Sequence, residues 1–358
     1  MLMYKRKQNE HFGLPLNLIS LLQVMAADKP WALISEVGEN GCSEDLAVML
    51  KEHFQIVSLC DLLENPDLHG PKIQVLFMWK FYPEATPALL SLLPSLRVVC
   101  SAGTGTDHLN IPYIHSLGVK IANTPHVVSD ATADFAMGLL LASARCSLSV
   151  AFLFFILFYL DPNAMIIPQT LMGVEVTGST LGIIGMGEIG YKIAKRSKGF
   201  DMKILYHNRN RRSAVDEAAV GATYCENLND LLKMSDFVML SLRFTPESIG
   251  LIGRRELSLM KPTATLINMS RGLVIDQDAL VQALQSGTIQ AAALDVTYPE
   301  PLPRDHPLLY LPNALITPHM GISSTNTAKK IVQKMVDNAL AAVKGLPIPD
   351  EVDPQCDM

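Results

Sequence analysis

A glycine-rich turn between a strand-like run and a helix-like run constrains the fold of this 358-residue chain more than any other feature. Gly185, Gly187 and Gly190 have the spacing GxGxxG and follow the apolar residues 180–184. In such a loop the first glycine permits a tight turn, the second lets the backbone approach a pyrophosphate, and the third lets the helix pack on the strand. The N–H groups at the start of the helix favour phosphate. The spacing alone would also fit an ordinary turn, but the flanking patterns predict a dinucleotide-binding βαβ unit.

Short apolar runs alternate with helical spacings along most of the chain, which is the pattern of parallel sheets. The predicted strands are residues 31–35, 73–78 and 96–102, and then 180–184, 203–206, 237–240, 265–269, 291–294 and 314–316. The predicted helices include residues 44–51, 129–143 with Ser129 as the N-cap, 189–197, 277–285 and 324–344. The chain is therefore predicted to be an α/β protein with two doubly wound, Rossmann-like parallel sheets.

The composition excludes several classes of protein. A net charge of -6 and a pI near 5.8 argue against a nucleic-acid binder, which would carry a basic surface. The cysteines contain no CxxC pair, so neither a metal site nor a disulfide framework is predicted. They are interpreted as reduced thiols, mostly in the core of a cytoplasmic protein. They are Cys42, Cys60, Cys100, Cys146, Cys225 and Cys356.

Two stretches do not fit the alternating pattern. Residues 1–24 start with basic side chains, but Pro15, Asn17 and Gln23 interrupt their apolar patch. A flexible extension is therefore favoured over a signal peptide. Residues 146–160 carry no charge, but a membrane-spanning helix needs about 20 apolar residues. A buried or interface segment, or one foreign to the natural fold, is favoured over a membrane span.

The residues after the predicted strand 203–206 bear on the choice of cofactor. NAD sites usually place Asp or Glu here, on the ribose 2′-hydroxyl. This chain has Asn208, Arg209, Arg211 and Arg212 instead. A guanidinium matches phosphate through its planar donor fork, so the run favours NADP(H), with NAD(H) still possible. A solvated basic turn is the alternative.

Polar side chains follow the last three predicted strands. Arg271 follows residues 265–269, Asp295 and Glu300 follow 291–294, and His319 follows 314–316. In open α/β sheets the ligand binds outside the carboxyl ends of the strands, so these side chains could converge there. Arginine suits a substrate carboxylate, and a histidine oriented by a glutamate suits proton donation to a carbonyl. Each residue alone would also fit a surface arginine, a Pro-Glu-Pro loop or a capping histidine.

Four motifs together resemble the D-2-hydroxyacid dehydrogenases, and the glyoxylate/hydroxypyruvate reductase branch in particular. They are GIIGMGEIG, INMSRGLVIDQDAL, AALDVTYPEPLP and ITPHMG, and the resemblance covers roughly residues 29–349. It implies two Rossmann-like domains with the active site in the cleft between them. The implied substrate-binding, flavodoxin-like domain is 25–126 plus 318–352. The implied NAD(P)-binding domain is 127–317, with 146–160 as an atypical apolar segment.

The resemblance also implies roles for particular residues. The catalytic residues would be Arg271, Glu300 and His319. The substrate carboxylate would be held by Arg271 and by the backbone N–H groups of Thr104 and Gly105. Asp295 would bind the nicotinamide carboxamide, and Arg209 would select NADP. The cofactor-binding residues would be Gly185, Gly187, Glu188, Ile189, Gly190, Asn208, Arg209, Arg211, Met269 and Asp295.

Three features depart from the family pattern. Arg243 stands near the cofactor where relatives carry a small residue, and His126 stands where glycine is common. The apolar run occupies the position of the family's linker and dimerisation arm, which leaves the dimer geometry open.

The sequence thus predicts an NADPH-preferring reductase of glyoxylate, hydroxypyruvate or 2-oxo sugar acids. It is expected to be a cytoplasmic homodimer that binds no metal, nucleic acid or membrane. The D configuration of the product is implied by the resemblance alone. A nicotinamide-sensing interaction protein, like the family's corepressor branch, is one alternative, and a membrane-tethered variant is another.

Overall fold

The structure is a computed structural model that describes residues 29–38, 42–79, 81–145 and 172–353. The predictions for residues 1–24 and 146–160 fall outside this described part. The described residues form two compact units. The first contains the residues up to Ala102, Leu109–Asn123 and those from Val332 onward, and the second contains Gly103–His108 and Thr124–Ile331. These limits place residues 103–108, 124–126 and 318–331 in the second unit, whereas the predicted boundaries place them in the substrate-binding domain.

The first unit is a five-stranded parallel sheet in the order β2-β1-β3-β4-β5, which is a doubly wound arrangement. The strands are β1 (Trp31–Ile34), β2 (Gln55–Ser58), β3 (Ile73–Met78), β4 (Val98–Ser101) and β5 (Lys120–Ala122). The helices are α1 (Glu44–His53), α2 (Leu59–Glu64), α3 (Pro66–His69), α4 (Pro87–Ser91) and α5 (Ile111–Ser116). The chain returns to this sheet near its C-terminus, where the Val352 N–H donates to the Ile121 carbonyl at 2.9 Å.

The second unit is a seven-stranded parallel sheet in the order β12-β11-β10-β9-β6-β7-β8. Its strands are β6 (Thr180–Ile184), β7 (Lys203–His207), β8 (Ala222–Tyr224), β9 (Phe237–Leu240), β10 (Thr265–Asn268), β11 (Ala291–Leu294) and β12 (Ala314–Ile316). Its helices are α6 (Ser129–Ala144), α7 (Glu188–Ser197), α8 (Ala214–Val220), α9 (Leu228–Met234), α10 (Arg254–Leu259) and α11 (Gln277–Gln285). The last helix, α12 (Thr325–Val343), begins in this unit and ends in the first. The predicted α/β class with two parallel sheets is confirmed.

The second sheet is covered on both faces, which explains why its strands are continuous apolar runs. Successive strand side chains point to opposite faces. In β9, Val238 and Leu240 pack in one core cluster, whereas Phe237 and Met239 pack in the other. The order of the strands reverses between β6 and β9, and ligand crevices of such sheets lie at this point.

The start of helix α6 differs from the prediction. Val128, not Ser129, is the N-cap, and it makes no side-chain capping bond. Ser129 is already helical and 2 % exposed, and its hydroxyl is hydrogen-bonded to Glu188 on α7. The serine therefore joins two helices instead of capping one.

Contacts between polar and charged side chains join α6 and its leading residues to α7. The pairs are His126–Glu188 at 2.6 Å, Asp130–Lys192 at 2.7 Å and Asp134–Arg196 at 2.5 Å. Asp130 and Asp134 are four residues apart and lie along one face of α6, and Glu188, Lys192 and Arg196 lie likewise along one face of α7. His126 has a φ of 70°, a left-handed conformation that favours glycine, which fits the glycine expected here from the family pattern.

Three of the four cysteines in the described ranges are buried, namely Cys42, Cys100 and Cys225, while Cys60 is exposed. All four are free thiols. Within the described residues, no helix combines the length and the apolar character that crossing a membrane requires.

The close approach of α7 to β6 yields a prediction. A Cβ at Gly190 would overlap the carbonyl oxygen of Gly185 and lie 2.8 Å from Oγ of Ser241. Gly190→Ala should therefore destabilise the fold by about 1–3 kcal/mol, the usual cost of overpacking. Urea unfolding measures this. Gly199→Ala is the matched control, because no described atom lies within 4 Å of its Cβ position. Equal stabilities of the two variants would refute the close packing.

Candidate active site

The glycine-rich loop has the geometry that its sequence predicts. Gly185 has a φ of 95°, and a Cβ there would overlap the backbone of Leu242, which follows β9. The Ser241 hydroxyl donates to the Gly185 carbonyl at 2.7 Å, so the loops after β6 and β9 are joined. At Gly187, by contrast, no described atom lies within 4 Å of the Cβ position. The open space lies at the N-cap of α7, where backbone N–H groups and the helix dipole attract phosphate.

The loop after β7 is fixed to the glycine-rich loop. Oδ1 of Asn208 accepts a hydrogen bond from the Met186 N–H at 2.6 Å. Arg212 donates to the Met186 carbonyl at 3.0 Å, and its guanidinium lies 4.6 Å from the ring centre of Tyr191. Asn208 directly follows β7, where NAD sites carry a carboxylate, and its own side chain is an uncharged amide.

The arginines of this loop differ in what they contact, and the sequence did not reveal it. Arg211 forms a fork with Glu217, with two hydrogen bonds of 2.8 Å, and Glu217 also accepts from the hydroxyl of the fully buried Tyr206 at 2.6 Å. Hydrogen bonds from Arg211 and then Tyr206 lower the pKa of Glu217 to about 2. Arg209 is exposed. The Arg211 side chain is 60 % exposed, but its donor fork is engaged by Glu217, so Arg209 is the better placed of the two to meet a phosphate.

Arg271 follows the end of β10, in the middle of the seven-stranded sheet. The side chain of the fully buried Asn268 accepts from the Ser270 N–H at 2.9 Å and donates to the Arg271 carbonyl at 2.8 Å. Nη1 of Arg271 donates to the Ser270 carbonyl at 2.9 Å. Both the backbone and the side chain of Arg271 are therefore held at the strand end.

Asp295, which follows β11, holds the turn that follows β12. Its carboxylate is 2 % exposed and accepts from the Thr317 hydroxyl at 2.7 Å, the Met320 N–H at 2.7 Å and the Gly321 N–H at 2.8 Å. Its carbonyl accepts from the His319 N–H at 2.9 Å. These bonds enclose His319, whose φ of 51° is a left-handed conformation. Asp295 thus has a structural role beside the cofactor contact expected of it.

Glu300 and His319 are in direct contact. Oε2 of Glu300 lies 2.9 Å from Nδ1 of His319, and Oε1 accepts from the Thr297 N–H at 2.9 Å. A carboxylate oxygen accepts a hydrogen bond from an imidazole N–H, so this contact fits Nδ1 as the donor and the Glu300 oxygen as the acceptor. The side chains of Glu300 and His319 are 31 % and 28 % exposed, so the pair is accessible.

Gly272 joins the Arg271 loop to the Glu300 loop. A Cβ at Gly272 would overlap the backbone carbonyl of Thr297, three residues before Glu300. The loops after β10 and β11 therefore touch through their backbones, and the loops after β11 and β12 touch through Asp295 and Glu300. The carboxyl ends of three neighbouring strands, β10, β11 and β12, are thus followed by the residues that the sequence predicts for the site. These residues are Arg271, Asp295, Glu300 and His319.

A further acidic residue at Arg271 was not predicted. Asp107 lies in the segment Gly103–His108 of the same unit and binds the guanidinium of Arg271, with a shortest distance of 2.9 Å. In the sequence, Asp107 follows the expected substrate-binding residues Thr104 and Gly105 by only two positions, which is the one signal that pointed to it.

Three predicted cofactor residues have protein contacts of their own. Glu188 pairs with His126 and lies 3.7 Å from Lys192. Ile189 is partly buried beside a core cluster, and Met269 is 8 % exposed within it. Within the described ranges, no group of three or more His, Cys, Asp or Glu side chains is placed to hold a metal ion.

Comparison with known proteins tests the family resemblance that the sequence motifs suggest. Residues 163–321 match the model of the NAD-binding domain of D-isomer specific 2-hydroxyacid dehydrogenases. The chain is 40% identical over 331 residues to a glyoxylate reductase of Thermococcus gammatolerans, covering 90% of this chain and 95% of that one. The chain belongs to the D-isomer specific 2-hydroxyacid dehydrogenase family. A second relative in this family is glyoxylate/hydroxypyruvate reductase B of Pectobacterium atrosepticum, 37% identical over 330 residues, covering 87% and 96% of the two chains.

Solved structures of the same family superpose on the chain. A glyoxylate reductase from Paecilomyes thermophila gives a TM-score of 0.76 at 28% identity, covering 91% of this chain and 99% of that one. An NADPH-dependent glyoxylate/hydroxypyruvate reductase from Sinorhizobium meliloti, in complex with NADP and malonate, gives 0.76 at 26% identity, covering 91% and 97%.

The Glu217 network predicts a pH-dependent stability. Because the pKa of Glu217 falls from ~4.3 in an unfolded chain to about 2 in the fold, its stabilising contribution is present above pH ~4.3 and is lost as the pH falls towards 2. Wild type should be more stable than Glu217→Gln at neutral pH, and the difference should shrink through that window. Urea unfolding at a series of pH values measures it.

The exposed Glu226 supplies the control, since Glu226→Gln should leave the stability unchanged over the same range. A constant difference between wild type and Glu217→Gln from pH 7 to pH 2 would contradict the assignment.

Proposed function

We propose that this dehydrogenase-family member reduces small 2-oxo acids, such as glyoxylate and hydroxypyruvate, to 2-hydroxy acids at the expense of a nicotinamide dinucleotide. The observation that carries the proposal is the Glu300–His319 pair beside Arg271, on neighbouring strand ends of the sheet that also bears the glycine-rich loop. The names of the relatives support the same substrate class. An acid–base pair, an anion-binding cation and a dinucleotide loop are together what this reaction needs.

Arg271 binds the substrate carboxylate. Its guanidinium is held against Gly105, where a Cβ would overlap Nη2. The backbone of Thr104 and Gly105 therefore adjoins the cation, and N–H groups there complement an anion. A planar donor fork binds a carboxylate through two parallel hydrogen bonds, which also fixes its orientation.

His319 donates the proton to the carbonyl oxygen through Nε2. Glu300 holds the ring by accepting from Nδ1 and stabilises the positive charge of the donating form, as the acidic partner of a catalytic histidine does in acyl transfer. The Thr297 N–H in turn holds Glu300 at 2.9 Å.

The residues at the glycine-rich loop fit a dinucleotide. The open position at Gly187 admits a pyrophosphate beside the N-terminus of α7. The loop after β7 lies where the ribose with the 2′-hydroxyl or 2′-phosphate would bind. A bound nicotinamide dinucleotide supplies the hydride that reduces the carbonyl carbon. Asp295 retains acceptor capacity on Oδ2, which accepts one hydrogen bond from Gly321, so it can bind a carboxamide as well as the His319 turn.

The loop after β7 supports a preference for NADPH. Asn208 replaces the carboxylate that would repel a 2′-phosphate, and Arg209 is exposed at the same strand end. Arg211 supports the loop through Glu217, so Arg209 is the residue that selects the phosphate.

The alternative of a nicotinamide-sensing interaction protein is not favoured, because such a protein would need no hydrogen-bonded acid–base pair. Initial rates of NADPH and NADH oxidation with glyoxylate, hydroxypyruvate and 2-oxo sugar acids test the choice. Turnover of at least one 2-oxo acid supports the reductase. Tight cofactor binding without turnover of any of them would support the sensor.

A homodimer in the cytoplasm remains part of the proposal. Light scattering of the purified chain tests the oligomeric state, and a monomer at micromolar concentration would contradict it.

The role of His319 predicts the effect of its removal. His319→Ala should lower kcat by about 10²–10⁴-fold, the usual contribution of a general acid. The dissociation constant for NADPH should stay within about twofold of the wild-type value, because the loop after β6 is unchanged. Steady-state kinetics and cofactor titration measure the two effects. Unchanged kcat would remove His319 from the mechanism.

The role of Arg209 predicts a selective loss. A charge-assisted hydrogen bond is worth about 1.5–3 kcal/mol, so Arg209→Ala should raise the KM for NADPH about tenfold to a hundredfold. The KM for NADH is the internal control and should change little, since NADH has no 2′-phosphate. Equal changes in both constants would show that Arg209 does not distinguish the cofactors.

A further inference from the structure

The Asp107–Arg271 ion pair determines which donors of the guanidinium remain for a ligand. Nε of Arg271 lies 3.1 and 3.0 Å from the two oxygens of Asp107, and Nη2 lies 2.9 Å from Oδ1. Nη1 donates to the carbonyl of Ser270. A guanidinium has five N–H groups, so these bonds leave one N–H on each terminal nitrogen. Those two donors are the ones that a substrate carboxylate can take.

The segment that carries Asp107 is anchored at its base. The buried Thr124 hydroxyl accepts from the Gly103 N–H at 2.7 Å, and the Thr124 N–H donates to the Gly103 carbonyl at 2.9 Å. At Gly105 a Cβ would overlap Nη2 of Arg271 and lie 3.0 Å from Oδ1 of Asp107. The backbone of Gly105, the carboxylate of Asp107 and the guanidinium of Arg271 therefore pack directly against one another. A shift of this segment would move Arg271 as well.

The charges of Asp107 and Arg271 offset one another. Burial raises the pKa of Asp107, but the hydrogen bonds and charge of Arg271 outweigh burial, so the pKa lies below its ordinary value. Burial lowers the pKa of His108 to about 4, with Asp107 opposing and Arg271 adding to the shift. At neutral pH the cluster thus holds one cation, one anion and one neutral imidazole.

We propose that Asp107 is a positioning residue for Arg271 and that its negative charge restricts the site to substrates with a single carboxylate. The proposal rests on the proposed reduction of 2-oxo acids. Asp107 occupies the Nε edge of the guanidinium and thereby presents the remaining N–H groups to the substrate. The positive charge of Arg271 is already compensated by Asp107. A second carboxylate on the ligand is therefore repelled by the carboxylate of Asp107, because like charges at short distance repel each other.

Two variants separate the geometric role from the charge. Asp107→Asn keeps the size of the side chain and removes its charge, whereas Asp107→Glu keeps the charge and displaces it by one methylene. The exposed Asp67 in the first unit provides the control Asp67→Asn. Kinetics with glyoxylate and NADPH, inhibition by glycolate and by malonate, and melting temperatures are measured for all four proteins.

Both variants should lower kcat/KM for glyoxylate by about 10²-fold, since displacing a substrate-binding group such as the Arg271 guanidinium by about 1 Å has effects of this size. Asp107→Asn should also strengthen malonate inhibition relative to glycolate roughly tenfold, because the repelling charge is gone. Asp107→Glu should leave that ratio near the wild-type value. A merely structural role would lower the melting temperature without moving the ratio.

Asp107→Asn with wild-type kcat/KM and an unchanged inhibitor ratio would overturn the proposal. If wild type turned over no 2-oxo acid, the proposed function would fail separately. The malonate-to-glycolate ratio would then be measured as binding constants by calorimetry, where an unchanged ratio in Asp107→Asn would still refute the role of Asp107. If the asparagine variant failed to fold, an Asp107→Glu variant with full kcat/KM would refute it.

Discussion

The carboxylate of Asp295 makes the contacts on which the candidate site depends. A carboxylate that is 2 % exposed is costly unless its oxygens are hydrogen-bonded, and this one accepts three bonds from the turn after β12. The turn cannot relax without leaving that charge unpaired. Its bonds therefore hold His319 in a left-handed conformation that a non-glycine residue rarely adopts.

Contacts between loops also hold the other side chains of the candidate site. Glu300 lies on the loop that Asp295 begins, so one loop holds His319 both by its backbone and by its imidazole. Gly272 permits backbone contact between this loop and the one that carries Arg271. Three parallel strands supply rigid bases, and backbone contacts between their loops fix the side chains. The arrangement explains how groups distant in sequence come to lie close together.

Much of this arrangement could be predicted from the sequence. The strand ends could be predicted because continuous apolar runs mark buried strands, and Arg271, Asp295 and His319 follow such runs within three residues. The glycine roles could be predicted because GxGxxG imposes backbone requirements that few other residues meet. The contacts of Ser129, Asp107 and Glu217 could not, because each joins segments whose spacing in the chain gives no sign of proximity. A serine at the start of a helix predicts a cap, since serine is favoured there, and its contact with a second helix leaves no mark in the sequence.

We propose that Glu300 and His319 act together in proton donation. A double-mutant cycle of kcat/KM with His319→Ala, Glu300→Gln and the double variant tests it most directly. Groups that act as a unit are strongly non-additive. If Glu300 acts only through the imidazole, the double variant should be no slower than His319→Ala alone, within about twofold. Losses that multiply in the double variant would contradict it, since Glu300 would then contribute independently of His319.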